Sequence, residues 1–254
     1  MSKIRLDKYI SSQTALTRSE AVIAIYRNRV TVNGRIKKDG AIKVDTEKDE
    51  VCLDGEKLVY EEFVYYMLNK PQGVISATED NQHKTVVELI DTSREIAPVG
   101  RLDIDTEGLL LLTDDGKLTH ELLSPKKHVD KTYYAEVDGE ITAEVVKGFE
   151  EGIEYGEKNP SAPGKLVVLD GVGEDEDGFI SAEILKNVPD NSSVPGMQKA
   201  LVTISEGKFH QIKRMFNVYG LNVTYLKRIS MGKLVLDESL QPGEYKKIAK
   251  SDII

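Results

Sequence analysis

The sequence predicts an α+β protein, a small helix–helix–hairpin module followed by a larger, mixed and largely antiparallel domain. Two observations carry that expectation. Helical spacing of apolar residues and a tight-turn dipeptide fall within the first part of the chain, up to about residue 50, whereas from Phe63 longer apolar strands alternate with short helices. A polar, acidic stretch, residues 45–62, separates the two patterns and places the expected domains at 1–60 and 61–254.

The elements follow in order. In "IRLDKYISSQ", Ile4, Leu6, Tyr9 and Ile10 fall roughly on one helical face. "TRSEAVIAIYRNR" opens with Thr17 and Glu20 three residues apart, the signature of a capping box, ahead of an expected buried stripe of Ala21, Val22, Ala24 and Ile25. "VTVNGRI" reads as a hairpin because Asn33-Gly34 tolerates the positive φ values of a tight turn. In 45–62 only "VCL" reads as a strand. Beyond it, "FVYYMLNKPQGVISA" is a strand broken at Pro-Gln-Gly, and "KTVVELI" a short helix. "GLLLLT" is a strand, "DDG" a turn, and "KLTHELLS" a helix stopped before Pro125. "KTYYAEVDG" and "ALVTISEG" alternate as strands, and "HQIKRMFNVYG" is a helix ended by Gly220.

Composition narrows the function classes. The 254 residues are 40% hydrophobic and 30% charged, which describes a globular chain with enough length for a full enzyme core. There is no leader-like apolar run and no stretch long enough to span a bilayer, so a cytoplasmic protein with no membrane partner is expected. Cys52 is the single cysteine, which excludes an intrachain disulfide and a CxxC metal site. His83, His120, His128 and His210 have no ligand spacing, so no metal is expected.

The net charge of −9 hides a segregation. Residues 1–43 carry +7, residues 199–233 carry +6, and residues 136–190 carry −11. Two separated basic blocks point to a polyanionic partner.

"VGRLDIDTEGLLLLTDDG" (99–116) crowds five carboxylates around four leucines. Asp114 and Asp115 precede a glycine and a helix, so turn and N-cap chemistry accounts for them. Asp105 and Glu107 read as loop polarity. Asp103 follows Gly100-Arg101-Leu102, and a carboxylate beside a fixed cation stays ionised, as a nucleophile requires. A purely structural Arg–Asp pair would carry the same pattern.

The same segment resembles the GRLD signature of the RsuA-type pseudouridine synthases. Three further motifs follow the family's pattern in order: "YYMLNKPQGV" (65–74), "KTYYAEV" (131–137) and "EGKFHQIKRMF" (206–216). Residues 3–50 resemble the alpha-L RNA-binding module, of the kind found in a small-subunit ribosomal protein, that this family carries at its N-terminus. The resemblance implies a reaction without cofactor, the isomerisation of uridine in RNA to pseudouridine. It maps the essential carboxylate onto Asp103, the pocket tyrosine onto Tyr133, and the basic partner of the aspartate onto Lys213, with Arg101 in support. Tyr134 is left for core packing, since neighbours on a strand face opposite ways. RNA-contacting residues are expected at Arg5, Arg18, Arg27, Arg29, Arg35, Lys37, Lys38, Lys126, Lys127, His210, Gln211 and Arg214. The "KRMF" form and a chain without a long basic tail favour 16S rRNA, uridine 516 by resemblance, within an assembling small-subunit particle. A 23S substrate and a non-catalytic, RNA-binding assembly factor are the alternatives, and a monomer is expected.

Overall fold

A computed structural model describes residues 3–169, 180–189 and 196–254. Within the acidic block, Asp170, Glu174, Asp175, Glu176, Asp177 and Asp190 lie outside the described residues. The chain divides into two compact units, the first formed by residues 3–64 with Asp91–Glu95, the second by Tyr65–Ile90 with Ile96–Ile254.

Unit 1 runs β1 (Lys3–Arg5), α1 (Leu6–Gln13), α2 (Arg18–Tyr26), β2 (Val30–Val32), β3 (Arg35–Ile36), β4 (Lys43–Asp45), β5 (Val51–Leu53) and β6 (Glu56–Leu58). Thr17 and Glu20 form the reciprocal capping box that starts α2. Asn33 and Gly34 both take positive φ, 52° and 72°, which turns β2 back into β3. A second hairpin joins β5 to β6 through Asp54 and Gly55, also at positive φ, a turn that the Asp-Gly pair signals and that "VCL" alone concealed. Leu6, Ile10, Ala21, Ile25, Val30 and Val44 pack as its core. Val22, expected in the buried stripe, is exposed instead, because the core-facing arc of α2 is the narrower one set by Ala21, Ala24 and Ile25.

The boundary is not a single cut. Arg94, well past residue 60, donates to the carbonyl oxygens of Ser12, Glu61 and Glu62 at 2.6–3.1 Å. A guanidinium supplies enough donors to collect three backbone acceptors that would otherwise need water, so this segment belongs with unit 1.

Unit 2 runs β7 (Tyr65–Lys70), β8 (Ala97–Pro98), β9 (Glu107–Thr113), α3 (Gly116–Leu123), β10 (Lys131–Asp138), α4 (Ala143–Glu151), β11 (Lys165–Val168), α5 (Ala182–Leu185), β12 (Met197–Ile204), α6 (Gln211–Asn217), β13 (Asn222–Met231), β14 (Leu234–Val235) and β15 (Tyr245–Lys247). Its sheet follows the order β11-β12-β10-β13-β9-β7-β15, with β14 beside β13 and β8 beside β9. The β9–β13 pair is parallel and the other described ladders of this sheet are antiparallel, so the fold is mixed and mostly antiparallel. Leu109 to Leu112 are all inaccessible to solvent, which marks β9 as a central strand covered on both faces. "KTVVELI" contains only the 3₁₀ turn Val87–Leu89, and past Pro71 the chain forms a loop with one bridge, Ile75 to Thr85, rather than a second strand.

Candidate active site

Asp103 sits on the loop that leads into β9, and the fold holds this loop from several sides. Val99 donates to Leu111 O at 2.7 Å, Gly73 to Ile104 O at 2.8 Å, and Thr106 to Asp103 O at 3.1 Å. Ser76 Oγ bridges both backbone polar groups of Leu102, whose side chain is buried. Beneath the loop lies Lys70, fully buried at the end of β7, donating to Thr106 O at 2.9 Å and Pro71 O at 3.0 Å. A lysine in an apolar strand directly before a proline was the available signal for this anchor, and reasoning from the carboxylates alone passed over it.

Burial pulls the Lys70 ammonium down to about 8 from 10.5, against the opposing attraction of Asp105, Asp103 and Glu107. Below about pH 8 the folded chain therefore bears the whole cost of a buried charge. Between pH 8 and 10.5 the unfolded chain binds more protons, so this group adds stability as pH rises. We expect the stability of wild type relative to Lys70→Met to grow by about 3 kcal/mol across that window in denaturant titrations. A difference that stays constant would show that Lys70 does not titrate there.

The two nitrogen-bearing side chains that approach Asp103, Lys213 and His210, come from the segment around α6. Lys213 Nζ lies 3.5 Å from Asp103 Oδ2 and 2.5 Å from Asp105 Oδ1, so it is shared between two carboxylates and bound more tightly to Asp105. Burial raises the Asp105 carboxyl, but the Lys213 hydrogen bond and charge outweigh it and leave the group below its ordinary value. Asp105 is thus part of the site's electrostatics, not only loop polarity. Glu107 is also engaged, accepting from Tyr225 Oη at 2.6 Å. Asp115 fits the N-cap reading: it accepts from Leu118 N at 3.0 Å and from Tyr65 Oη and Lys250 Nζ at 2.9 Å.

Tyr133, buried on β10, lines the same pocket as Asp103, with Ile204, Ile212 and Leu226 as apolar walls. Tyr134 faces the other way, into a cluster with Leu201 and Ile229, while its hydroxyl donates to Glu136 at 2.9 Å. Arg101 is exposed at the pocket mouth. Among the described residues no ion pair joins Arg101 to Asp103, although both line the same pocket.

Several expected RNA contacts have other partners. His210 Nε2 lies 3.6 Å from Asp103 Oδ1, which brings it into the site itself. Gln211 is buried, accepting from Lys208 N at 2.9 Å and donating to Glu206 Oε1 at 2.5 Å, so it closes the turn before α6. Arg214 points away from Lys213, as helical geometry requires, but toward Glu157 Oε1 at 2.5 Å and Tyr155 O at 3.0 Å. In unit 1, Arg5 and Arg18 both pair with buried Asp7, and Arg29 pairs with Asp54. Arg27, Arg35 and Lys38 are exposed and Lys37 partly so, with no ion pair among the described residues. Lys126 and Lys127 are exposed too, Lys127 lying 3.2 Å from Glu121.

The profile of a family described as RNA pseudouridylate synthase matches residues 64–218, which hold β7 to β12, the Asp103 loop and α6. The chain belongs to this family. It is a pseudouridine synthase, an isomerase of uridine in RNA. The uncharacterized RNA pseudouridine synthase YtzG of Bacillus subtilis (strain 168) is 40% identical over 253 residues, covering 98% of this chain and 97% of the relative. The ribosomal small subunit pseudouridine synthase A of Haemophilus influenzae is 38% identical and that of Escherichia coli (strain K12) 36%, each over 98% of both chains. A crystal structure of a pseudouridylate synthase superposes with a TM-score of 0.63 at 38% identity, covering 98% of each chain. Among the described residues no helix is long and apolar enough to cross a membrane.

Proposed function

We propose that this synthase isomerises one uridine of small-subunit rRNA, position 516 of 16S by family resemblance, on an assembling particle, as a cytoplasmic monomer. The observation that carries the chemistry is the convergence of Asp103, Lys213 and Tyr133 on one pocket. The substrate class is supported by full-length relatives named for the small ribosomal subunit.

The reaction breaks the C1′–N1 bond, turns the uracil within the pocket, joins C1′ to C5, and exchanges the C5 proton for one on N1. Composition and redox state are unchanged, so no cofactor is needed. Asp103 is the carboxylate that acts at the uridine, as nucleophile or as acid and base at the sugar. A hydrolase would need a second carboxylate to activate water; here the detached base is retained and recaptured. Lys213, braced by Asp105, positions Asp103. Tyr133 supplies a face for the base, with its hydroxyl near the carbon that must lose a proton.

RNA is gripped by Arg27, Arg35, Lys37 and Lys38 of unit 1 and by Arg101, Lys126 and Lys127 of unit 2, while the target nucleotide leaves its helix to enter the pocket. Pseudouridine mapping on both rRNAs of a deletion strain tests the assignment. Loss of one 16S pseudouridine with every 23S site retained is expected; an intact 16S set with a missing 23S site would transfer the substrate to the large subunit.

A further inference from the structure

The segment that delivers Lys213 to the site also presents an aromatic ring that the isomerisation chemistry does not use. Phe209 is 69% exposed, the reverse of what a phenylalanine placed for stability would be. Its backbone is held firmly. Arg214 Nη1 donates to Phe209 O at 3.3 Å, Gln211 N donates to Lys208 O at 3.2 Å, and buried Gln211 ties Lys208 to Glu206. The next residue, His210, takes φ +49° and lays its imidazole on the Phe209 ring, centroids 3.8 Å apart and planes within 17°. One ring face is thereby backed, and the side chain is fixed while remaining in solvent.

The position of the ring within unit 2 indicates what covers it. Two depressions meet along Arg101, Leu102, Asp103, Lys208 and His210. The inner one contains Tyr133 and receives the reacting uracil under the function proposed above, on which this inference rests. The outer one contains Phe209, with Ile75, Ala77, Pro98, Ile104 and Leu123 as apolar walls, and Arg101 and Lys208 at the shared rim. An apolar floor with a cationic rim suits a nucleobase whose phosphate lies toward the cations. Extruding a nucleotide from RNA also strips its neighbour of a stacking partner, and that loss must be compensated if flipping is not to be costly.

We propose that Phe209, backed by His210, is a stacking platform for the base next to the isomerised uridine. It is a positioning residue: it substitutes for the lost stack and sets how far the target reaches toward Asp103. Because every base has a π-face, the platform favours an unpaired neighbour without dictating its identity.

The test uses the full chain with a small-subunit rRNA transcript, and the same RNA carrying 2-aminopurine beside the target. Phe209→Ala is expected to lower kcat/KM about tenfold to a hundredfold, mainly through KM, and to abolish the fluorescence quenching that wild type causes on binding. Phe209→Trp restores both readouts, whereas Phe209→Leu, apolar but without a π-face, restores neither. Rescue by leucine, or wild-type kinetics and quenching in the alanine variant, overturns the platform. Wild-type protein that forms no pseudouridine on this RNA overturns the substrate assignment instead, and the quenching measurement still reads the stack.

Discussion

Replacing Asp103 by Asn is expected to lower pseudouridine formation by on the order of 10³-fold or more, with the fold and the affinity for RNA retained. The amide has nearly the size and shape of the carboxylate, so the loop held by Lys70, Ser76 and Gly73 has no reason to move. What disappears is a negative group able to attack or to transfer a proton, and among the described residues only Asp105 shares its cation. Asp105 cannot take over: its side chain is 64% exposed, it does not line the pocket, and Lys213 already holds it at 2.5 Å. Asp105→Asn should therefore keep the chemistry and lose part of the positioning, a smaller effect that separates the two carboxylates.

Binding supplies the second half of this result. Four of the cations assigned to the backbone grip, Arg27, Arg35, Lys37 and Lys38, lie in unit 1, whereas Asp103 lies in unit 2. The Asp103→Asn chain should show the wild-type salt slope, while neutralising those four cations flattens the slope by roughly 0.7 for each phosphate that is no longer neutralised. Radiolabel release or mass-spectrometric pseudouridine assays, run beside filter binding at several salt concentrations, read both quantities. Substantial turnover by the Asn variant would move the essential role to another residue.

Local rules made much of the fold legible in advance. A capping box, an Asn-Gly turn and an Asp before a helix act within a few residues, and Thr17, Asn33-Gly34 and Asp115 stand where those rules put them. Asp103 and Tyr133 were marked by the family resemblance of their motifs, and the structure brings both to one pocket. Long-range electrostatics was not legible. That Lys213 divides itself between Asp103 and Asp105, that Arg101 stands apart, and that Arg214 turns to Glu157 depend on side-chain directions set by α6 against the β9 loop. Lys70 escaped for a related reason: periodicity treats a buried lysine as an exception, and only three-dimensional accounting of the carbonyls of Pro71 and Thr106 shows what it satisfies. Arg94 is the equivalent case in unit 1, where three carbonyl oxygens far apart in sequence converge on one guanidinium.

The largest expected effect on stability comes from a residue with no side chain. Gly108 begins the part of β9 squeezed between Lys70 of β7 and Arg228 of β13, at the parallel junction of the sheet. Its φ is +100°, and a Cβ there would overlap the carbonyl oxygen of Arg228 while lying 2.8 Å from the Arg228 nitrogen. Those atoms are backbone in a central strand and cannot swing aside. Gly108→Ala thus combines strain of about 1–3 kcal/mol for the dihedral with separation of two paired strands. A total loss of roughly 4 kcal/mol corresponds to a melting temperature lower by about 10 °C for a unit of this size. Gly34→Ala is the matched control, since Gly34 also has positive φ, +72°, but nothing lies within 4 Å of the added carbon. It should cost only the dihedral part. Calorimetry of both variants decides: equal losses would mean that backbone conformation alone matters, whereas a much larger loss at Gly108 assigns the difference to the close approach of the two strands. That approach also explains why the variant should lose activity faster than it loses fold on warming. Gly108 lies between Asp103 and the leucines of β9, so displacing it shifts the Asp103 loop before the apolar core at Leu109 to Leu112 opens.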